Sequence, residues 1–346
     1  MSWTKVMPAQ PVVAVAGATG AVGLEMLSVL EQRKFPASRV KALASARSAG
    51  KTLPYAGLGA NANGELIVEE MTPDSFADVD IALFSAGGDV SIAYRDAVVG
   101  AGAVMIDNSS AFRQDVDVPL VVPEVNAHTI AQHSGVIANP NCSTIQMVVA
   151  LEPLHRIAKI KRVVVSTYQA ASGAGAEAMA ELYNQTREYL DDQPLTIEHF
   201  AHRIAFNLIP HIDVFMDDGS TKEEWKMVVE TKKIMGDDSI EVIANCVRVP
   251  VLRSHSEMVN VEFSEPMDVA TARTAFASAP GIEVIDDPEQ KLYPMPGMLA
   301  GTDPVYLGRI RQDVTVQWGL NFWCVSDQLR KGAALNAVQI AELLLP

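Results

Sequence analysis

The run PVVAVAGATGAVGLEMLSVLEQ, residues 11–32, constrains the fold more than any other part of the chain. Residues 11–17 are a short, β-branched apolar strand, and the stretch from Ala21 places Val22, Met26, Val29 and Leu30 on one face of a helix. A strand that turns through glycines into a helix cannot fold back on itself as a hairpin. The helix must cross over, and the next strand must lie parallel to the first.

The same alternation recurs at RVKALAS (39–45), IALFSAG (81–87), AVMIDNSS (103–110) and GVIANP (135–140). Strand and helix in repeated succession predict an α/β, doubly wound, Rossmann-type dinucleotide-binding domain over residues 1–141. After Cys142 the rhythm changes. STIQMVVALEPLHRI reads as a helix, KRVVVSTYQ (161–169) as a strand, and ASGAGAEAM as a turn into a helix ending near REYLDD. SIEVIANCVRVPVL, SEMVNVEFSE and TVQWGLNFWCVSD then read as long strands of a mixed or antiparallel sheet. Residues 142–326 are therefore expected to form a second, α+β domain. The stretch 327–346 is expected to be a helix that packs back on the first domain. The loop GLGANANG (57–64) reads as a flexible connection.

A chain of 346 residues with a formal net charge of −15 is an unlikely partner for nucleic acid or an anionic membrane surface. No apolar run is long enough to span a bilayer, and the start, MSWTKVMPAQPVVAVAG, lacks a signal-peptide core, so the cytoplasm is expected. Three widely spaced cysteines, Cys142, Cys246 and Cys324, suit reduced thiols and not a disulfide framework.

Gly17, Gly20 and Gly23 lie between the first strand and the first helix. Glycines there let the backbone approach a pyrophosphate, which rests on the helix N-terminus. An NAD site usually has an acid at the end of the second strand. Here ALASARSAGK supplies Arg47 and Ser48 instead, which suit the 2′-phosphate of NADP.

Cys142, in IANPNCST, falls at the start of the helical stretch STIQMVVAL, where unpaired N–H groups and the helix dipole favour a thiolate and can receive an oxyanion. Cys246 and Cys324 sit within apolar strands and read as inert core residues. Of seven histidines, His255 stands out because RVPVLRSHSEMV places it in a polar break between two strands. His199 and His202 are spaced i, i+3 without further ligands, so no metal site is expected.

GATGAVG, DNSSAFR, NPNCST, YQAASGAG, EEWKM, RVPVLRSHS and LRKGAALNAVQIAE occur in the order seen in aspartate-β-semialdehyde dehydrogenases, which the chain resembles from about residue 11 to its end. The resemblance implies NADPH-dependent reductive dephosphorylation of 4-phospho-L-aspartate to aspartate 4-semialdehyde, at the branch toward lysine, methionine and threonine. It implies Cys142 as the nucleophile that forms a thioester and His255 as general acid/base. It further implies Gln169 orienting the acyl group, Arg248 on the α-carboxylate and Glu224 on the ammonium. Arg113 and Lys226 would hold phosphate, with Asn141 assisting. Cofactor contacts would be Thr19, Gly20, Ala21 and Val22, with Arg47, Ser48, Ser172, Gly173 and Gln328. The second domain would carry catalysis and form a homodimer.

N-acetyl-γ-glutamyl-phosphate reductase shares this architecture and thioester logic and is the near alternative. A thiol hydrolase would use Cys142 and His255 without a nucleotide. A non-catalytic dinucleotide-binding protein would bind cofactor and tolerate Cys142→Ala.

Overall fold

Val12–Ala16 (β1) is the central strand of a parallel sheet because its side chains are apolar on both faces, which only a sheet covered on two sides can bury. The computed structural model describes residues 5–346; residues 1–4, the first part of the stretch read above for a leader, lie outside it. Within residues 5–141 the strands β2 (Arg39–Ala44), β3 (Thr52–Pro54), β4 (Glu65–Glu70), β5 (Ile81–Phe84), β6 (Val104–Asp107) and β7 (Val136–Ala138) complete a sheet ordered β3-β4-β2-β1-β5-β6-β7. All its pairings are parallel except β3 with β4. Helices α1 (Ala21–Gln32), α2 (Gly88–Gly100) and α3 (Pro123–Asn126) belong to this unit.

The strand order runs outward from β1 through β2 and then resumes on its other side at β5. That reversal opens a crevice at the carboxyl ends of β1 and β5, the usual ligand site of such a sheet. The loop 57–64 is the connection of an antiparallel strand pair, β3–β4, not a loose tether. Asn61 Oδ1 accepts from the N–H groups of Asn63 (2.9 Å) and Glu65 (3.1 Å).

Residues 142–332 form the second compact unit. Its strands β8 (Ile160–Gln169), β9 (Glu241–Arg248), β10 (His255–Phe263), β11 (Ile282–Val284), β12 (Val305–Gln312) and β13 (Gly319–Ser326) are ordered β11-β12-β13-β10-β8-β9. β8 and β9 are parallel, whereas β10 is antiparallel to both β8 and β13, so the sheet is mixed. Helices α4 (Cys142–His155), α5 (Ala176–Leu190), α6 (Lys222–Met235), α7 (Val269–Ser278) and α8 (Pro296–Leu299) accompany it.

Alternation along the strands gives the sheet one covered and one open face. Val163, Val165 and Thr167 on β8, Glu257, Val259 and Val261 on β10, and Leu320, Phe322 and Cys324 on β13 are buried on the covered face. Tyr168 and Ile243 are exposed on the other. Helix α4 is apolar almost all round and buried from Ser143 to Leu151, as a helix sandwiched between other elements must be.

The chain then returns to the first unit. A π-helical turn, Arg330–Ala334, leads into α9 (Leu335–Leu343). The helix expected from residue 327 therefore begins later, because the Asp327 carboxylate takes the N–H of Leu329 at 2.9 Å and holds that segment as a turn. Leu335, Val338, Ile340 and Ala341 join Val13, Val15, Leu30, Ile81 and Leu83 in one apolar core. Arg33 grips Glu342 through two bonds of 2.7 Å, and Asn336 donates to Asn139 Oδ1 (2.7 Å) and to the Val121 carbonyl (2.9 Å).

Because Ile340 is wholly buried in that core, Ile340→Ala is expected to cost about 2–5 kcal/mol. A lowered urea midpoint in equilibrium unfolding would register it; an unchanged midpoint would show that α9 is not integral to the unit.

Candidate active site

In the first unit the glycine turn is built as a cradle. Gly17 has φ +83°, and a Cβ there would lie 2.3 Å from the Ser85 carbonyl oxygen; a Cβ on Gly23 would lie 2.2 Å from the Gly17 oxygen. Gly20 caps α1 without a side-chain bond, and no acid occupies the helix's first turn. Uncapped N–H groups at a partly exposed turn, Thr19 to Val22, are what a pyrophosphate needs, so the residues present fit a dinucleotide. After β2, Ser48 is buried and Arg47 is exposed in a short 3-10 turn. An arginine fork and a hydroxyl at that strand end are groups that can hold an anionic or hydroxylated part of a ligand.

The loop after β6 positions Arg113. Asp107 is fully buried and accepts from Ser91 Oγ (2.6 Å) and Ser109 Oγ (2.5 Å), while Arg113 Nη2 donates to the Asn108 carbonyl at 2.9 Å. Burial pushes the Asp107 carboxyl up, opposed by those two hydroxyls and by Arg113. Asn139 donates to Asn108 Oδ1 at 2.7 Å and so ties the loop to the strand end before Asn141, which is buried.

In the second unit, topology gathers the candidate residues. Gln169 ends β8, Arg248 ends β9 directly opposite it, and His255 begins β10, the strand on the other side of β8. All three are buried on the covered face, where α4 packs. Cys142 is the first residue of α4, half-buried, with no acid in the first helical turn. The Arg248 guanidinium acts electrostatically on the Cys142 thiol and, with the helix N-terminus, favours the thiolate.

The two strand-borne cysteines differ. Cys246 and Cys324 are buried, and burial pushes both thiols up, which makes them inert as expected.

Close packing links the rest. A Cβ on Gly173 would lie 2.9 Å from Arg248 Nη1 and 3.0 Å from His255 Nε2. Arg248 Nη1 itself donates to the Ala170 carbonyl at 2.8 Å. A Cβ on Gly332 would lie 2.9 Å from Cys142 Cβ and 3.2 Å from Gln328 Cβ. Gln328 donates from Nε2 to Ser172 Oγ and accepts from the Ser254 N–H at 2.8 Å. Ser254, with φ +76°, is a strained residue immediately before His255. Arg253 and Asp327, paired at 2.6 Å, clamp the neighbouring backbone.

One expectation is corrected. Glu224 does not face this cluster: its Oε2 accepts from the Thr221 N–H (2.7 Å) and its Oε1 from the Cys246 N–H (2.9 Å). It is the N3 carboxylate of a capping box, Thr221-x-x-Glu224. Glu223 is the buried acid that accepts from Gln169 Nε2 at 3.1 Å and from Lys226 Nζ at 3.2 Å. Lys226 also reaches Asp213 at 2.7 Å. Desolvation opposes its charge, but Glu223 and Asp213 outweigh that and raise its pKa. The signal for Glu223 was present in the sequence, since the capping-box spacing assigns Glu224 to the helix end and leaves Glu223 three residues from Lys226. Gly332 and Asp327 carried no such signal.

No group of metal-ligating side chains occurs among the described residues, and no described helix is long and apolar enough to cross a membrane.

The family model "Semialdehyde dehydrogenase, NAD binding domain" matches residues 12–133, and "Semialdehyde dehydrogenase, dimerisation domain" matches residues 151–331. Aspartate-semialdehyde dehydrogenase of Aquifex aeolicus is 52% identical over 337 residues, covering 96% of this chain and 97% of its own. Its namesake from Bacillus subtilis is 50% identical over 340 residues, covering 96% of each. Among solved structures, aspartate semialdehyde dehydrogenase II of Vibrio cholerae, complexed with ASA, has a TM-score of 0.93 at 47% identity over 97% of this chain and 98% of its own. That of Candida albicans, with NADP, has a TM-score of 0.74 at 26% identity over 97% and 98%.

The burial pattern predicts selective thiol chemistry. Iodoacetamide at neutral pH should label Cys142 in the native protein and reach Cys246 and Cys324 only after unfolding, as mapped by peptide mass. Native labelling at Cys246 or Cys324 ahead of Cys142 would contradict the assignment.

Proposed function

The chain belongs to the aspartate-semialdehyde dehydrogenase family, and from that premise we propose that it converts 4-phospho-L-aspartate to L-aspartate 4-semialdehyde and phosphate with NADPH. The aldehyde serves lysine, methionine and threonine biosynthesis. The observation that carries this reading is Cys142 at the N-terminus of a buried helix, in the electrostatic reach of Arg248 on a strand end shared with Gln169 and His255. Both relatives and both solved structures named above carry the aspartate-semialdehyde name, so N-acetyl-γ-glutamyl-phosphate reductase is not favoured.

The Cys142 thiolate attacks the acyl phosphate, the C–O bond to phosphate breaks, and a thioester remains. Sulfur suits this because it both attacks and leaves readily. Arg248 offers a planar fork to the α-carboxylate, and Glu223, in place of Glu224, offers its carboxylate to the ammonium. Gln169, held by Glu223, orients the acyl group, and His255 stands at the reacting carbonyl. Lys226, Arg113 and Asn141 are the proposed phosphate contacts.

When bound, the dinucleotide supplies the hydride that reduces the thioester. Its proposed contacts in the first unit are Gly17, Thr19, Gly20, Ala21, Val22, Gly23, Arg47 and Ser48, and NADP is preferred over NAD because Arg47 and Ser48 stand where an acid would bind a ribose hydroxyl. In the second unit the proposed cofactor contacts are Ser172, Gly173 and Gln328. The protein is proposed to act in the cytoplasm as a homodimer through the second unit, whose open sheet face exposes Tyr168 and Ile243 and whose family model is described as a dimerisation domain.

The test is phosphate-dependent reduction of NADP with aspartate semialdehyde. Wild type should turn over, and Cys142→Ser should lose roughly a thousandfold or more in kcat, as removal of a nucleophile does; no wild-type activity with this aldehyde would sink the substrate assignment. For the cofactor, Arg47→Ala should raise the Kd for NADP about tenfold, the loss of one charge-assisted contact, and leave that for NAD unchanged. Equal weakening of both by titration calorimetry would remove Arg47 from the 2′-phosphate.

A further inference from the structure

Gln146 follows Cys142 by four residues on α4, so the two side chains share one face of the helix, a turn apart. The Gln146 N–H is also the helical partner of the Cys142 carbonyl. At this turn the helix meets the sheet, where Cys324 Sγ donates to the Gln146 carbonyl at 3.8 Å. Cys324 on β13 lies directly across from Glu257 on β10, and Thr167 on β8 lies across from it on the other side. Gln146 and Glu257 are both completely buried.

Glu257 is a buried carboxyl group without a cation. Desolvation pushes it well up, opposed only by a side-chain bond with Gln146. Apart from one another, the two side chains have no polar partner: Nε2 and Oε1 of Gln146 and both carboxyl oxygens of Glu257 meet no other donor or acceptor. Their chemistries match in one protonation state. A carboxylate can only accept, so it takes the amide N–H and leaves the amide oxygen without a donor. A carboxylic acid donates its O–H to the amide oxygen and accepts the amide N–H on its carbonyl oxygen, which closes a ring of two bonds. An ionised, unpaired carboxylate in the same place would carry the full cost of a desolvated charge.

We propose that Glu257 is a neutral carboxylic acid joined by two hydrogen bonds to the Gln146 amide, and that this pair is a positioning device, fixing the first turns of α4 on the sheet and so aligning the Cys142 sulfur. The inference rests on Cys142 as the nucleophile and deepens that reading. A further negative charge on this face would oppose ionisation of the thiol; a neutral acid holds the helix without that opposition. The titratable and charged groups on this side of the sheet are His255 on the same strand, Cys324 on β13, Cys246 and Arg248 on β9, and Cys142 on α4. Helix α6 adds Glu223, Glu224, Lys226 and Glu230. Neither Arg248 nor Lys226 acts on the Glu257 carboxyl.

The deciding measurement compares the unfolding equilibrium of the full-length protein with that of Glu257→Gln, at one protein concentration, from about pH 5 to about pH 7, above the ordinary glutamate range. Glutamine keeps both bonds to Gln146 and has no proton to release. In the wild type the folded state holds a proton on Glu257 that the unfolded chain has given up. The unfolding constant of the wild type relative to the variant should therefore rise about tenfold per pH unit. A ratio that stays flat would mean that Glu257 is ionised in the folded protein and would overturn the proposal. This readout needs no substrate, so it stands apart from any failure of the proposed reaction.

Positioning is read at the sulfur, from the pH midpoint of Cys142 alkylation by iodoacetamide. Glu257→Gln should keep the wild-type midpoint. Glu257→Leu and Gln146→Leu, which break the pair, should each raise it by about half a unit or more, as the sulfur loses its alignment with the helix N-terminus and Arg248. A shifted midpoint in the glutamine variant, or a wild-type midpoint in either leucine variant, would remove the positioning role.

Discussion

Arg248, Gln169 and His255 on one face of one sheet, and Glu223 on helix α6, are all buried, and such a cluster is tolerable only because each polar group meets another. Glu223 sits between Lys226 and the Gln169 amide. Arg248 satisfies the Ala170 carbonyl, and the N–H of the same residue satisfies His255. The backbone of one residue, through the two peptide groups that flank it, thus anchors two of the candidate side chains. The strain at Ser254 and the close approach at Gly173 follow from the same crowding, since both let backbone come where side chains cannot. Burial extends one layer further: Glu257, on the same face as His255, has its carboxyl pushed well up by desolvation, against a side-chain hydrogen bond from Gln146.

Most of the first unit was legible in the sequence because its physics is local. A β-branched strand, a glycine turn and an amphipathic helix each announce themselves within a few residues, and five of the seven strands of that sheet follow from repetition. The pair β3–β4 did not, because β3 is only three residues long and both strands alternate buried and exposed residues, unlike the apolar runs of the inner strands. The last helix was placed too early for a related reason. The composition of residues 327–334 is helical, but Asp327 takes the N–H groups of Leu329 and Arg330 as an N-cap does, and the chain runs through the π-helical turn Arg330–Ala334 before the regular helix begins.

In the second unit, the sequence separated the strands but not their order, and it is the order that assembles the candidate site. Nothing local places Gln169 opposite Arg248, with His255 on the next strand over; a parallel β8–β9 pair and an antiparallel β8–β10 pair do so. Likewise Cys142 could be read as a helix-start thiol, but its contact with Gly332 depends on residues 190 positions apart, the difference between 332 and 142. The Glu223–Glu224 exchange is instructive in the opposite sense, because helix-capping chemistry alone decides it.

The first unit is discontinuous: its chain leaves at Asn141 and resumes at Ala333. Its core needs Leu335, Val338 and Ile340, yet these are synthesised only after the whole of the second unit. At translation speeds of about 5–20 residues per second, the intervening segment keeps that hydrophobic surface waiting roughly 10 to 40 s. The later-made unit, continuous in sequence, can finish folding before the earlier one does. A nascent chain of this kind would be most vulnerable to aggregation in that interval, when the parallel sheet exists without the helix that completes it.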